Sequence, residues 1–311
     1  MKRRTLIATA QILLLMPSKL LAGTEYVDLK DEPSRADLFK TYLRDKDEPN
    51  QNEGTANLAI PDIFRFPADA IYDRIEDKPR NNSIFGVDIS HYTTSINFGN
   101  LREQSILFVQ AKASQGSVYR DAKFPDFWRR LGQLPNDKRL YRGAYHFLSS
   151  EGSGKRQAEN LLSYLDEQGG VSEADMPVTL DLEWDPRPKQ MIADAWSGKG
   201  SAFIIDTCLE FAETVKTNTG RNPILYTCSA WFSKKTIPID KFSSFRDLKI
   251  WIADYNPKRK LAERPKTPGN LAATSWQFTD RAKITVGHSG PVDASVFYGT
   301  EETFRSALGI K

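Results

Sequence analysis

The sequence predicts an α/β fold on mainly parallel strands, either a closed β/α barrel or an open doubly wound sheet. Three observations lead there. From Ile84 onward, strand-like runs alternate with helical ones, as repeated βαβ units require. Several strand runs are almost continuously apolar, the pattern of strands covered on both faces. The helical stretches thin out after Cys228, which argues against a regular eight-fold barrel.

The expected strands are Ile84–Ile89, Ile106–Ala113, Tyr141–Leu148, Val178–Glu183, Ile224–Cys228, Leu248–Ala253, Thr274–Phe278 and a last one near Val292–Val296. The fourth follows Pro177 with Val178, Thr179 and Leu180, a β-branched and apolar run. Helices are expected at Phe124–Leu134, Lys155–Glu167 and Ser201–Thr217. The second carries Ala158, Leu161, Leu162 and Leu165 at helical spacing, and Gly169 and Gly170 stop it. The third turns Ile204, Cys208, Phe211 and Val215 to one face and ends before Gly220.

The chain has 311 residues, enough for one large domain and an appendage, and its 40% apolar and 11% aromatic content is ordinary for a globular protein. Lys2, Arg3 and Arg4 form a basic start, Thr5–Met16 is mostly apolar, and Leu20-Leu-Ala22 precedes Gly23 as a cleavage point. Residues 1–22 are therefore expected to be a signal peptide, with the mature chain secreted or periplasmic and not inserted in a membrane. Thr24 stands where a lipidated cysteine would be needed, so no lipid anchor is expected. Removing the four cations of this segment takes the formal charge from +3 to −1, which gives no reason to propose nucleic acid as a partner.

Residues 23–82 are expected to form a linker or docking segment. They are acidic and interrupted by Pro33, Gly54 and Pro79, with a disordered stretch at 45–54, one short helix at Ala36–Leu43, and apolar patches at Ile63–Phe66 and Ala70–Tyr72. The remaining residues, 83–311, are read as the barrel domain. Cys208 and Cys228 either pair after export or stay as buried thiols. Neither has the spacing of a metal site, and no metal is expected.

Chemistry is suggested by where the acids fall. Asp181 and Glu183 end the fourth strand, where residues two apart share a face at a Cα spacing of roughly 6.5–7 Å. Two such carboxylates repel, so one holds its proton while the other ionises, as acid/base hydrolysis needs. Asp88 ends the first strand and Asp293 lies in the last. In a closed parallel barrel the C-terminal strand ends gather at one mouth, and the first and last strands are neighbours. Tyr145, Trp184, Tyr226, Trp251, Tyr255 and Trp276 lie in or just after strands, and aromatic faces beside carboxylates suit a sugar.

The chain resembles glycoside hydrolase family 25, the muramidase-type lysozymes. The resemblance is carried by Gly86-Val-Asp-Ile-Ser-His-Tyr92, Phe108-Val-Gln-Ala-Lys-Ala-Ser-Gln-Gly116, Gly143-Ala-Tyr-His-Phe147, Leu180-Asp-Leu-Glu183, Ile224-Leu-Tyr-Thr227, Trp251-Ile-Ala-Asp-Tyr255, Ser275-Trp-Gln-Phe278 and Val292-Asp293. Their order and spacing match from about Ile84 to the C-terminus. The resemblance implies an irregular TIM-like β/α barrel with fewer helices than strands. It also implies hydrolysis of the β-1,4 bond between N-acetylmuramic acid and N-acetylglucosamine in peptidoglycan glycan strands, without cofactor. Carried over by motif, Glu183 is the general acid/base, and Asp181 is the nucleophile or the stabiliser of an intermediate formed by the substrate's acetamido group. Asp88 and Asp293 orient substrate and tune the pair, and Tyr145 lines the cleft. Trp184, Tyr226, Trp251 and Trp276 are the further candidate sugar contacts.

The sequence departs from the family at Thr93, where Gln or Asn is frequent, at Ser114-Gln115 in place of Thr-Glu, and at Ser295 in place of Asn. None of these touches the four acids. His91 and His146 are expected as structural hydrogen-bonding groups. A monomer is expected. The competing readings are a non-catalytic wall-binding protein on the same barrel and a glycosidase of another N-acetylated glycan such as chitin.

Overall fold

The computed structural model describes residues 83–311, apart from positions 188–191, 193, 235–236, 257–258, 260–263, 285 and 289, and also describes 72–73 and 78–79. The expected signal peptide, the 45–54 stretch, the 36–43 helix and the 63–66 patch lie outside the described residues. Within the expected linker, β1 (Tyr72–Asp73) pairs antiparallel with β2 (Lys78–Pro79).

The main sheet closes on itself. Its strands are β3 (Ser83–Ile89), β4 (Ile106–Gln115), β5 (Tyr119–Arg120), β6 (Tyr141–Phe147), β7 (Thr179–Asp181), β8 (Ile224–Thr227), β9 (Lys249–Ala253), β10 (Ala273–Lys283) and β11 (Pro291–Tyr298). The order runs β3-β4-β6-β7-β8-β9-β10-β11 and back to β3, an eight-strand barrel, with β5 as a short hairpin partner of β4. Neighbours from β3 to β10 are parallel, whereas β11 is antiparallel to both β10 and β3. The described α-helices are fewer: α1 (Phe124–Gly132), α2 (Gly154–Glu167), α3 (Ser201–Thr219), α4 (Ser229–Lys234) and α5 (Glu301–Leu308). Between β8 and β9 only the short α4 and a 3₁₀ segment, Ile239–Phe245, stand where a regular barrel would carry a full helix. None of the described helices is long and apolar enough to cross a membrane.

The three predicted helices appear with shifted ends. α2 starts at Ser153, whose hydroxyl accepts from the Arg156 amide at 3.2 Å. α3 runs to Thr219 and ends on Gly220, whose φ of 72° is a left-handed cap. One contiguous apolar core fills the barrel wall and helix layer, and α5 seals the end opposite the mouth. There Phe304 stacks on Phe108 at 5.3 Å and meets Tyr141 and Phe297. Glu301 accepts from Arg102 at 3.0 and 3.2 Å and from the Tyr141 hydroxyl at 2.7 Å.

Two expectations need correcting. The last strand is not parallel to its neighbours, and Asp293 lies near its beginning, as the expected Val292–Val296 bounds already had it. Because β11 runs backwards, that beginning falls at the mouth, and Asp293 is the direct partner of Asp88. The fourth strand is also shorter than expected: β7 ends at Asp181, opposite Phe147 on β6 and Tyr226 on β8. Leu182 still donates to the Tyr226 carbonyl at 2.9 Å, and Glu183 lies on the loop just beyond.

Candidate active site

The carboxylates converge because strand ends deliver them. Asp88 ends β3, Asp181 ends β7, and Asp293 enters from reversed β11. Asp88, Asp181 and Glu183 are 7%, 2% and 5% exposed, and Asp293 is half-buried. Burying acids this deeply is costly unless donors and geometry compensate. A pocket at the mouth is lined by Asp88, Asp181, Tyr145, Tyr226 and Trp251. Three of the five candidate aromatics thus share it with two of the four acids. Trp184 and Trp276 are not among those lining residues: Trp184 is buried, and Trp276 donates from Nε1 to the carbonyl of Asp254, just past β9, at 2.9 Å.

The pocket wall is fixed by a buried network that sequence reasoning missed. Gln277 Nε2 donates to Asp88 Oδ2 at 2.6 Å. Its Oε1 accepts from the Tyr226 hydroxyl at 2.7 Å and from the Tyr255 hydroxyl. A carbonyl oxygen cannot donate, so the two phenols fix the amide orientation and leave its N–H for Asp88. Gln277 lies inside a motif that carries the resemblance, but its role shows only once the closed barrel sets β10 two strands from β3. Trp251 packs edge-on against Tyr226, with centroids 4.7 Å apart, and its Nε1 donates to Ser295 Oγ at 3.0 Å. The serine that replaces the family's usual Asn therefore holds a pocket-lining ring.

Both histidines make structural hydrogen bonds. His146 is completely buried, and Gln157 fixes its tautomer. Gln157 Oε1 accepts from the Ser149 amide at 2.8 Å and Nε2 donates to the Ser149 carbonyl at 2.9 Å. His146 Nε2 must then donate to Gln157 Oε1 at 3.3 Å, while Nδ1 accepts from the Ser114 hydroxyl at 2.8 Å. Burial pushes the His146 pKa down to about 3, against the Gln157 bond and with the Lys112 charge, so the ring is neutral. His91 binds Asp121 Oδ2 through both its amide and Nδ1 at 2.9 Å. Burial raises the Asp121 pKa, but the His91 and Lys123 donors outweigh it and leave the carboxyl below its ordinary value.

Cys208 and Cys228 are unpaired, buried thiols, and burial pushes both pKa values up. For Cys228 the Glu183 and Asp254 charges add to burial. Asp254, just past β9, is itself raised by burial against the Lys266 and Asn256 amides that cap it. Acids thus surround this mouth beyond the four expected from sequence.

Comparison with known proteins matches this arrangement. The family model for glycosyl hydrolases family 25 matches residues 87–286. The chain is 25% identical over 224 residues to lysozyme M1 of Streptomyces globisporus, covering 70% of this chain and 69% of that protein. It is 28% identical over 204 residues to the N,O-diacetylmuramidase of Chalaropsis sp, covering 64% and 89%. Among solved structures, the family GH25 lysozyme from Aspergillus fumigatus superposes with a TM-score of 0.60 at 26% identity, covering 73% of this chain and 99% of that one. Strand-end acids, barrel topology and these matches agree: the chain belongs to glycosyl hydrolase family 25 and is a glycoside hydrolase.

Proposed function

We propose that the chain is an exported N-acetylmuramidase that cleaves the β-1,4 bond between N-acetylmuramic acid and N-acetylglucosamine in peptidoglycan. The observation that carries the reading is the pocket itself. Buried Asp88 and Asp181 share it with three aromatic side chains, and buried Glu183 lies two residues beyond Asp181. The named activities of the lysozyme and diacetylmuramidase relatives support the substrate.

In this proposal Glu183 starts protonated and gives its proton to the glycosidic oxygen as the bond to the anomeric carbon breaks. Asp181 stays anionic and meets the positive charge that develops on the sugar. It does so by attacking the anomeric carbon or by steadying the intermediate that the substrate's acetamido oxygen forms. Ionised Glu183 then takes a proton from the incoming water. Asp88, held by Gln277, and Asp293 beside it keep the local field negative, which favours both the proton on Glu183 and the cationic transition state. Tyr145, Tyr226 and Trp251 offer ring faces to the sugar's C–H surface.

The test is reducing-end release from purified peptidoglycan, with mass analysis of the fragments. Wild type should yield muropeptides ending in N-acetylmuramic acid, and Glu183→Gln should lose on the order of 10²–10⁴-fold in kcat. Release from chitin but not from peptidoglycan would move the substrate assignment to another N-acetylated glycan. Binding to the wall with no release would overturn the enzyme mechanism.

A further inference from the structure

The chain just past Glu183 is anchored by an ion pair whose acid is buried and whose base is partly exposed. Asp185, two residues on, is fully buried. Its Oδ2 accepts from the Ser150 amide at 2.8 Å, the Ser150 hydroxyl at 2.9 Å, the Ser149 hydroxyl at 3.3 Å and Arg187 Nη2 at 2.9 Å. The Asp185 amide donates to Asp194 Oδ1 at 3.0 Å, and its carbonyl accepts from the Ala195 amide at 2.7 Å. The segment leaving Glu183 is therefore tied to the loop after β6 on one side and to the returning chain on the other. All the side-chain bonds to Asp185 fall on Oδ2. Its Oδ1 and Arg187 Nε are buried with no hydrogen-bond partner among the described residues. A carboxylate quenched at one oxygen only keeps an appreciable field in a low-dielectric interior.

We propose that Asp185 and Arg187 are a positioning pair for Glu183, in which Asp185 fixes the Glu183 backbone at the mouth and its charge favours the protonated Glu183 carboxyl. This rests on the hydrolase reading for the role of Glu183. Along the chain, the negative member of the pair is nearer Glu183 than the positive one. The other charges around the site are Asp181, Asp88 and Asp293 at the strand ends and Asp254 after β9. The Cys228 thiol, whose pKa burial and the Glu183 charge raise, stays neutral. Glu151, 3.9 Å from Arg187, and Asp194 flank the pair itself. Arg187 is a cation set among these acids, and buried Lys112, in register with Tyr145, is another; removing either partner of the pair changes the local balance by one charge with opposite sign.

The sign follows. Asp185→Asn leaves Arg187 uncompensated, favours ionised Glu183 and lowers its pKa. Arg187→Gln leaves Asp185 uncompensated and raises it. The experiment is a ¹³C NMR titration of the Glu183 carboxyl in full-length protein labelled at glutamate, the resonance being assigned by its loss in Glu183→Gln. A companion pH profile of kcat on peptidoglycan follows the alkaline limb. Shifts of about 0.5–1.5 pH units in opposite directions are expected, the scale of a unit charge roughly 7 Å away at an effective dielectric of about 20, less screening. Arg187→Lys should restore the wild-type value. A Glu183 carboxyl that stays put in both variants, or moves the same way in both, overturns the proposal and leaves the pair a purely structural clamp. Should Asp185→Asn fail to fold, the Arg187→Gln and Arg187→Lys comparison decides alone. The titration needs no turnover, so a chain without activity on peptidoglycan refutes the hydrolase reading while the titration still judges the pair.

Discussion

At the scale of the residue, the site depends on how each acid is held, and Gln277 shows the economy of the arrangement. One buried amide serves Asp88 through its N–H group and Tyr226 and Tyr255 through its oxygen. Gln277→Leu keeps most of the volume but takes a donor from Asp88 and the acceptor from two phenols. A lost buried partner costs about 1–3 kcal/mol per group. The variant is expected to lose stability on that scale and about 10–100-fold in kcat/KM, read by denaturant melts and wall-hydrolysis rates. Undiminished turnover in a folded Gln277→Leu protein would mean that Asp88 needs no such donor. The four acids were legible in the sequence because a charge at the end of an apolar run is conspicuous. Gln277, Asp185 and Arg187 were not, because a neutral amide inside a strand, or an ion pair in the loop four to six residues past one, looks like any surface polar residue until the barrel closes over it. The aromatics were only partly legible. Trp184 and Trp276 follow the same strand-end pattern as Trp251 but are not among the residues that line the pocket, and Trp276 bonds the Asp254 carbonyl instead.

At the scale of the element, the parallel strands were legible from apolar continuity, since each must tolerate cover on both faces. The direction of β11 was not, because a period of two reads the same from either end. α5 carries its own start and stop signals in the sequence. Thr300 caps it by accepting from the Thr303 amide at 3.3 Å, Glu301 and Glu302 occupy its first turn, and Gly309 ends it at φ 62°. The crossing of α2 and α3 turns on one residue. A Cβ at Gly154 would lie 1.8 Å from the Thr207 carbonyl oxygen and 2.8 Å from the Phe211 amide nitrogen, both backbone atoms of α3. Backbone cannot swing aside as a side chain does. Gly154→Ala must therefore push the two helices apart, although alanine is the better helix former, and a loss of about 1–3 kcal/mol or more is expected. Equilibrium denaturation measures it, and a neutral or stabilised Gly154→Ala protein would show that the helices do not pack this closely in solution.

At the scale of the whole molecule, two buried groups on the same side of the barrel set its acid limit. His146 holds a folded pKa near 3 against an ordinary value of 6.5, so between those values the unfolded chain binds a proton that the folded chain refuses. Stability from this group is full above about pH 6.5 and drains away as pH falls toward 3. Asp121 adds a second, lower window. Its folded pKa lies below the ordinary 3.8, so its contribution is complete above that value and is lost on further acidification. Acid unfolding should therefore begin well above the carboxylate range and steepen within it. Thermal melts of wild type and His146→Gln from pH 8 to pH 3 test this. The wild-type Tm should decline already between pH 6.5 and 4.5. The variant, with a lower Tm at neutral pH because Ser114 and Gln157 lose the ring between them, should stay nearly flat over that interval and fall only below it. A wild-type Tm that holds constant down to pH 4.5 would mean that the ring reaches a proton without unfolding the protein. The β6–α2 joint would then have to open locally, carrying with it the Ser149–Ser150 loop on which Asp185 is anchored.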